Sequence, residues 1–161
     1  MEATNSRAEK KIIWIIVIVV IAVVGFLFWG IAKQYLVPTT TISTGITTIN
    51  ARLATTEIQR EQGLSGTPVL EPNEGMLFVF DRNAKWPIWM KDMKYPIDII
   101  WIDKNKRVVW IERNVTPTTY PKSFKPLTES RYVLEVAAGS AQQYGIRPST
   151  TLQFDLEGKE A

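Results

Sequence analysis

Hydrophobic and polar positions along this chain fall into two regimes. From Ile12 to Ala32 the residues IIWIIVIVVIAVVGFLFWGIA run without a charge, so a helix built from them is apolar on every face. Such a helix rises about 30 Å, the hydrocarbon thickness of a bilayer. Trp14 and Trp29 stand near its two ends, where indole rings favour the interface. Further along, apolar residues alternate with polar ones or gather in short runs between turn formers, which is the pattern of strands.

The strand pattern can be followed in order. Ile49, Ala51 and Leu53 alternate with Asn50 and Arg52 and predict a half-buried strand. Thr56-Glu-Ile-Gln59 is a capping box that opens a short helix ending before Gly63. Gly75 to Phe80 predicts a buried strand, and Trp86 to Lys91 an extended segment. Ile97 to Asp103 and Arg107 to Arg113 predict a hairpin turned by Lys104-Asn105-Lys106. Val115 to Ser130 holds three prolines and predicts a long loop. Tyr132 to Ala137 predicts a strand, Gly139 to Gly145 a short helix capped by Ser140, and Thr151 to Leu156 a last strand by alternation. The fold class expected is mainly β, a small barrel or sandwich with two short helices, preceded by one N-terminal transmembrane helix.

Flanking charge orients the anchor. Arg7, Lys10 and Lys11 precede the uncharged run and only Lys33 follows closely, so residues 1–11 are expected in the cytoplasm and the rest on the other side of the cell membrane. The apolar run exceeds the usual length of a cleaved signal sequence, although Gly30-Ile31-Ala32 offers small residues for cleavage. Residues 33–45, rich in Thr, read as a stalk, and residues 46–161 as the folded domain. A core of this size is stable without disulfides, and the chain has no cysteine.

Composition then removes chemistries. With no His and no Cys, a Ser-His-Asp triad, a thiol nucleophile and a histidine metal site are excluded. No phosphate-binding glycine loop occurs, and the acids lack calcium-loop spacing, so neither cofactor nor metal is expected. A net charge of +3 without a Lys/Arg stripe gives no reason to expect nucleic acid.

Two acids interrupt apolar strand faces. Asp98 shares a face with Ile100 and Ile102, and Glu135 with Val133 and Ala137. A buried carboxyl must be paired, hydrogen-bonded or protonated. The expected arrangement is a clasp in which Arg60 pairs with Asp98 and Glu135 and pins the short helix to the sheet. The rival arrangement is a two-carboxylate hydrolase site made of Asp98 and Glu135.

The stretch WPIWMKDMKYPID, from Trp86 to Asp98, concentrates aromatic residues, methionines and charge. Trp86, Ile88 and Met90 alternate with Pro87, Trp89 and Lys91, so one indole is expected in the core and the other at least partly outside. An exposed ring beside Lys91 and Tyr95 would form one wall of a shallow groove, with Tyr120 from the long loop on the other. Trp89, Lys91, Tyr95 and Tyr120 are thus the candidate ligand-binding residues.

Four motifs lie in order and register: Arg60-x-x-Gly63-Leu64, Gly75-Met-Leu-Phe78, Trp89-Met90-Lys91 with Pro96-Ile-Asp98, and Leu134-Glu135-Val-Ala-Ala-Gly139. On these the chain, from about Asn50 to Leu156, resembles the DUF192 family. The resemblance implies a compact, mostly β domain, often exported behind a signal peptide or anchor, and supplies no activity. Three departures stand out. Asp92-Met93 replaces the family's frequent Asn-Thr, Lys106 stands where glycine is common, and Ser149-Thr150 replaces a common Gly-Asp. At Lys106 the hairpin would then hold a non-glycine residue at positive φ.

The favoured expectation is a membrane-anchored, extracytoplasmic module that binds an envelope glycan, a peptide or a protein without catalysis. The alternatives are the carboxylate hydrolase and an accessory subunit of a membrane complex.

Overall fold

The computed structural model describes residues 3–34 and 37–156, with side chains described over 10–26 and 37–156. The chain divides into two units, Met1–Val37 and Pro38–Ala161.

The first unit is one helix, α1 (Ala3–Gln34). Every described side chain from Lys10 to Phe26 is exposed, including Trp14 and Phe26. Among the described residues no helix is long and apolar enough to cross a membrane. The uncharged run, however, extends from Ile12 to Ala32, and its last six side chains, Trp29 among them, lie outside the described residues.

Among its described residues the second unit has eight strands: β1 (Thr39–Ser43), β2 (Thr48–Ala54), β3 (Glu74–Ala84), β4 (Ile88–Trp89), β5 (Ile97–Ile102), β6 (Val108–Val115), β7 (Ser123–Phe124) and β8 (Ser130–Ala137). Two short helices, α2 (Glu57–Gln62) and α3 (Ser140–Gln143), and one 3-10 turn at Pro117–Thr119 complete it. Six strands form one sheet in the order β1-β2-β3-β8-β5-β6, while β4 and β7 pair separately. Only β2 and β3 run parallel, because the connection between them passes through α2.

Thr39–Ser43 corrects the stalk expectation. Thr40 and Ile42 turn inward and β1 pairs with β2 along its whole length. Threonine's branched side chain suits a strand as well as a linker, and composition alone did not distinguish the two.

The sheet does not close into a barrel. The C-terminal segment makes isolated bridges, Ser43 with Gln153 and Arg107 with Thr151. Leu152, Phe154 and Leu156 alternate inward as expected, and the segment is tied to two sheet edges by a few backbone hydrogen bonds, among them the reciprocal pair between Ser43 and Gln153, without extending into a ladder. The long loop is likewise partly ordered, by the 3-10 turn and by β7 pairing with β4.

The sheet carries an apolar cluster on each face. One gathers Ile49, Leu53, Leu77, Ile100 and Leu134 under α3 and the C-terminal segment. The other gathers Leu64, Phe78, Met90, Ile99 and Trp101 under α2 and the β4–β7 pair. All six residues of β5 are buried, which accounts for its apolar character on both faces, interrupted only by Asp98. Fully burying each isoleucine there contributes about 1.5–3 kcal/mol.

Gly75 is required by close approach: a Cβ there would lie 2.8 Å from the Glu135 carbonyl oxygen. Lys106 has φ 61°, the left-handed turn that its place in the hairpin implied. The other two departures, Asp92 at φ 55° and Ser149 at φ 74°, are left-handed as well.

Candidate ligand-binding cleft

Strand register decides what the two acids can do together. Asp98 is paired with Val136, and Glu135 with Ile99. Residues paired across strands share a face and successive residues alternate, so Asp98 and Glu135 project to opposite faces of the sheet. This overturns the two-carboxylate hydrolase site.

Asp98 is fully buried and fully bonded. The β5–β6 ladder shifts register between Ile97 and Ile99, and the displaced Asn114, at φ 51°, donates its N–H to Asp98 Oδ1 at 2.8 Å. Ala141 N donates to Asp98 Oδ2 at 3.0 Å. The carboxyl thus fills a bulge and holds the first turn of α3. Ser140 is not the cap of that helix: Gly139, at φ 86°, takes the position and supplies no side-chain bond.

Arg60 pairs with neither acid, so the expected clasp is also overturned. The capping box forms, Thr56 Oγ1 accepting from Gln59 N and Gln59 Oε1 from Thr56 N. It fixes the helix so that the Arg60 guanidinium donates to the carbonyls of Thr55 and Val79 and lies 5.3 Å from the Phe80 ring centroid. Helix α2 is pinned to the sheet through backbone carbonyls and an aromatic ring.

These contacts raise one wall of a cleft. Phe80 stacks on Trp86, with centroids 4.0 Å apart and planes 8° apart, and Arg82 lies over Trp86 at 5.1 Å. Trp101 Nε1 donates to the Trp86 carbonyl at 2.9 Å, tying that wall to β5. Ser65 Oγ donates to the Lys91 carbonyl at 2.7 Å, tying the loop after α2 to the Trp-Met-Lys turn. Between these elements is a cavity of about 550 Å³ whose lining includes Arg60, Phe78, Trp86, Trp89, Lys125 and Glu135.

Glu135 is the distinctive group. It is only 4% exposed, lines the cleft, and neighbours Met76 and Ile99 across the sheet. No described residue offers its carboxyl a hydrogen bond or ion pair. Burial pushes it up to about 8, so at neutral pH it is chiefly the uncharged acid, holding one O–H donor and one C=O acceptor.

The expected alternation holds for Ile88 and Met90, which are buried, and for Trp89, which is 51% exposed; Trp86, expected in the core, is only half-buried and forms part of the cleft wall. Of the four candidate ligand-binding residues, Trp89 lines the cleft. Lys91 is exposed at its rim-side turn, and Tyr120 is exposed on the long loop; neither lines the cavity. The loop contributes Ser123 and Lys125 instead. Tyr95 is half-buried, and no group meets hydrogen-bond geometry at its hydroxyl. Burial raises the Tyr95 pKa and Glu135 adds to the rise, while Arg52 and the nearby Thr67 oppose it. Phe78, Phe80 and Arg82 are not among the ligand-binding residues expected from sequence. Their strand reads as core, and only the α2 contact shows that its outer end forms a wall. Among the described residues no group of three or more His, Cys, Asp or Glu is placed to hold a metal ion.

Comparisons with known proteins place the second unit. A solved structure from Sinorhizobium meliloti 1021, described as a candidate transcription regulator, is similar at 28% identity and TM-score 0.67, over 72% of this chain and 92% of that one. A protein of unknown function from Novosphingobium aromaticivorans DSM 12444 is similar at 26% identity and TM-score 0.66, over 71% of this chain and 83% of that one. No curated protein matches. Residues 2–34 match the phospholipase D-nuclease N-terminal family profile. Residues 39–154, most of the chain, match the profile of DUF192, described as an uncharacterised ACR, and the chain therefore belongs to the DUF192 family.

Proposed function

We propose that this protein is a membrane-anchored, extracytoplasmic binding module that performs no chemistry itself, with residues 12–32 in the bilayer and the cleft as its ligand site. One observation carries the binding reading: a preformed cavity of about 550 Å³, with Phe78, Phe80, Trp86 and Trp89 on its lining, also has a buried carboxyl there without a protein partner. Ligand sites are typically apolar concavities with a few polar groups, and an unsatisfied buried polar group is costly unless something completes it. The long uncharged run and the uncovered apolar side chains of α1 support the anchor. Ligands accessible to a cleft so placed are envelope glycans, peptides and protein segments.

Binding is tested with the full-length protein in detergent micelles, following the Trp89 indole N–H by NMR during titration with envelope glycan and peptide pools. Saturable shifts that disappear in Trp89→Ala support the cleft. Shifts confined to other regions refute it. Placement is tested with Asn105→Cys, an exposed site in a chain otherwise free of cysteine. A membrane-impermeant maleimide should label it in intact cells, and labelling only after lysis would refute the orientation.

A further inference from the structure

Taking the cleft as the ligand site, its chemistry narrows the ligand. Beside Glu135 the lining holds three cations, Arg60, Arg82 and Lys125, and three acids, Glu57, Glu61 and Asp81. No net charge therefore draws in an ion. A cationic ligand caged by aromatic rings is disfavoured further, because guanidinium groups already lie over Phe80 and Trp86. An anionic ligand seated on Glu135 would have to bury its own charge against the apolar surroundings of Met76, Val133 and Ile99, at a high cost.

What remains is an uncharged molecule with two faces: one polar enough to complete Glu135, the other apolar enough to lie on an indole. A sugar ring has both. Its hydroxyls donate and accept, and its C–H face carries the partial positive charge that an aromatic face attracts. Trp89 supplies such a face, half-exposed on the cleft lining.

We propose that the cleft binds an uncharged pyranose of a glycan, with one ring hydroxyl seated on the Glu135 carboxyl and the C–H face of the ring on Trp89. Glu135 is then the residue that selects a hydroxyl, and Trp89 the residue that holds the ring. The charged groups around the site are Glu57, Arg60 and Glu61 on α2, Asp81 and Arg82 on β3, and Lys125 after β7. Arg52, Glu74 and Tyr95 do not line the cleft, and Tyr95 and Glu135 are near enough to act on one another electrostatically.

The test uses the full-length protein in micelles and five probes: neutral trisaccharides of glucose, mannose and galactose, a glucosamine trisaccharide carrying ammonium groups, and an uncharged acetylated tripeptide amide. At least one neutral trisaccharide should shift the Trp89 indole resonance saturably. Glu135→Leu should weaken its binding about tenfold or more, since a buried sugar hydroxyl loses its partner. Glu135→Gln, which keeps a donor and an acceptor, should cost no more than about threefold. Thermal melting of both variants establishes that they are folded. Preferential binding of the glucosamine trisaccharide, abolished by Glu135→Gln, would overturn the proposal in favour of an ion pair. Binding of the tripeptide amide alone would overturn the sugar and leave the cleft reading intact. If no probe shifts a cleft resonance, and glycan and peptide pools shift none either, both readings fall together.

Discussion

Asp98 and Glu135 stand on neighbouring strands of one sheet, both buried, and their surroundings differ in one respect. On the Asp98 face every polar demand is met: a bulge and a helix start present two N–H groups, and the carboxyl takes both. That face is closed by α3 and by the C-terminal segment, held by Thr40 Oγ1 donating to the Asp155 carbonyl at 2.7 Å and by the edge-to-face contact of Tyr132 with Phe154 at 5.2 Å. On the Glu135 face the covering elements stand apart, and the carboxyl opens onto the space they leave. Equal burial therefore has opposite meanings. A satisfied acid holds the fold together, whereas an unsatisfied one lowers stability and is available to a ligand.

The most damaging way to break this contrast is Asp98→Ala. It strands two N–H donors in the interior at about 1–3 kcal/mol each, and the loss, roughly 2–6 kcal/mol, should appear as a lower urea midpoint. Glu135→Leu should act in the opposite direction. Removing an unpaired buried carboxyl should stabilise the domain by about 1–3 kcal/mol in the same measurement, and a loss of stability would show that Glu135 has a structural role like that of Asp98.

The pH dependence sharpens the same contrast. The Glu135 pKa is raised on folding, from 4.5 to about 8, so the folded state binds the proton more tightly than the unfolded state. The stability that this contributes is complete below about pH 4.5, falls as the pH rises, and is gone above about pH 8. Denaturation between pH 5 and 8 should show that decline, and Glu135→Gln should flatten it.

A smaller effect probes the closed face. Ser149 sits at φ 74° in the turn leading into the closing segment, its N–H donating to the Val108 carbonyl at 2.8 Å. Ser149→Gly should relieve the left-handed strain and raise stability by about 0.5–1 kcal/mol, measurable as a small rise in melting temperature. The smallest change in stability belongs to Trp89→Ala. The half-exposed ring should cost under about 1 kcal/mol on removal, while binding in the cleft is lost.

Particular residues show how far the chain could be read without coordinates. The capping box of Thr56 and Gln59 acts over three residues and was legible directly, as were the alternation of Ile88 and Met90 against Trp89 and the left-handed turn at Lys106. The stalk reading failed at Thr39–Ser43 because a threonine-rich stretch becomes a strand only when an edge is available to pair with it. The clasp failed because Arg60 found carbonyl groups and Phe80 within reach, partners that carry no sequence signal.

Periodicity by itself determined that Asp98 and Glu135 each interrupt an apolar strand face, because side chains alternate along any strand. Only the tertiary structure decided that those faces are opposite ones, since the shared or opposed direction of two side chains depends on cross-strand register, set by bulges and turns far from either residue. The same register, with α2 and the β4–β7 pair laid over one face, converts an acid that the sequence shows as merely buried into the polar group of a cleft.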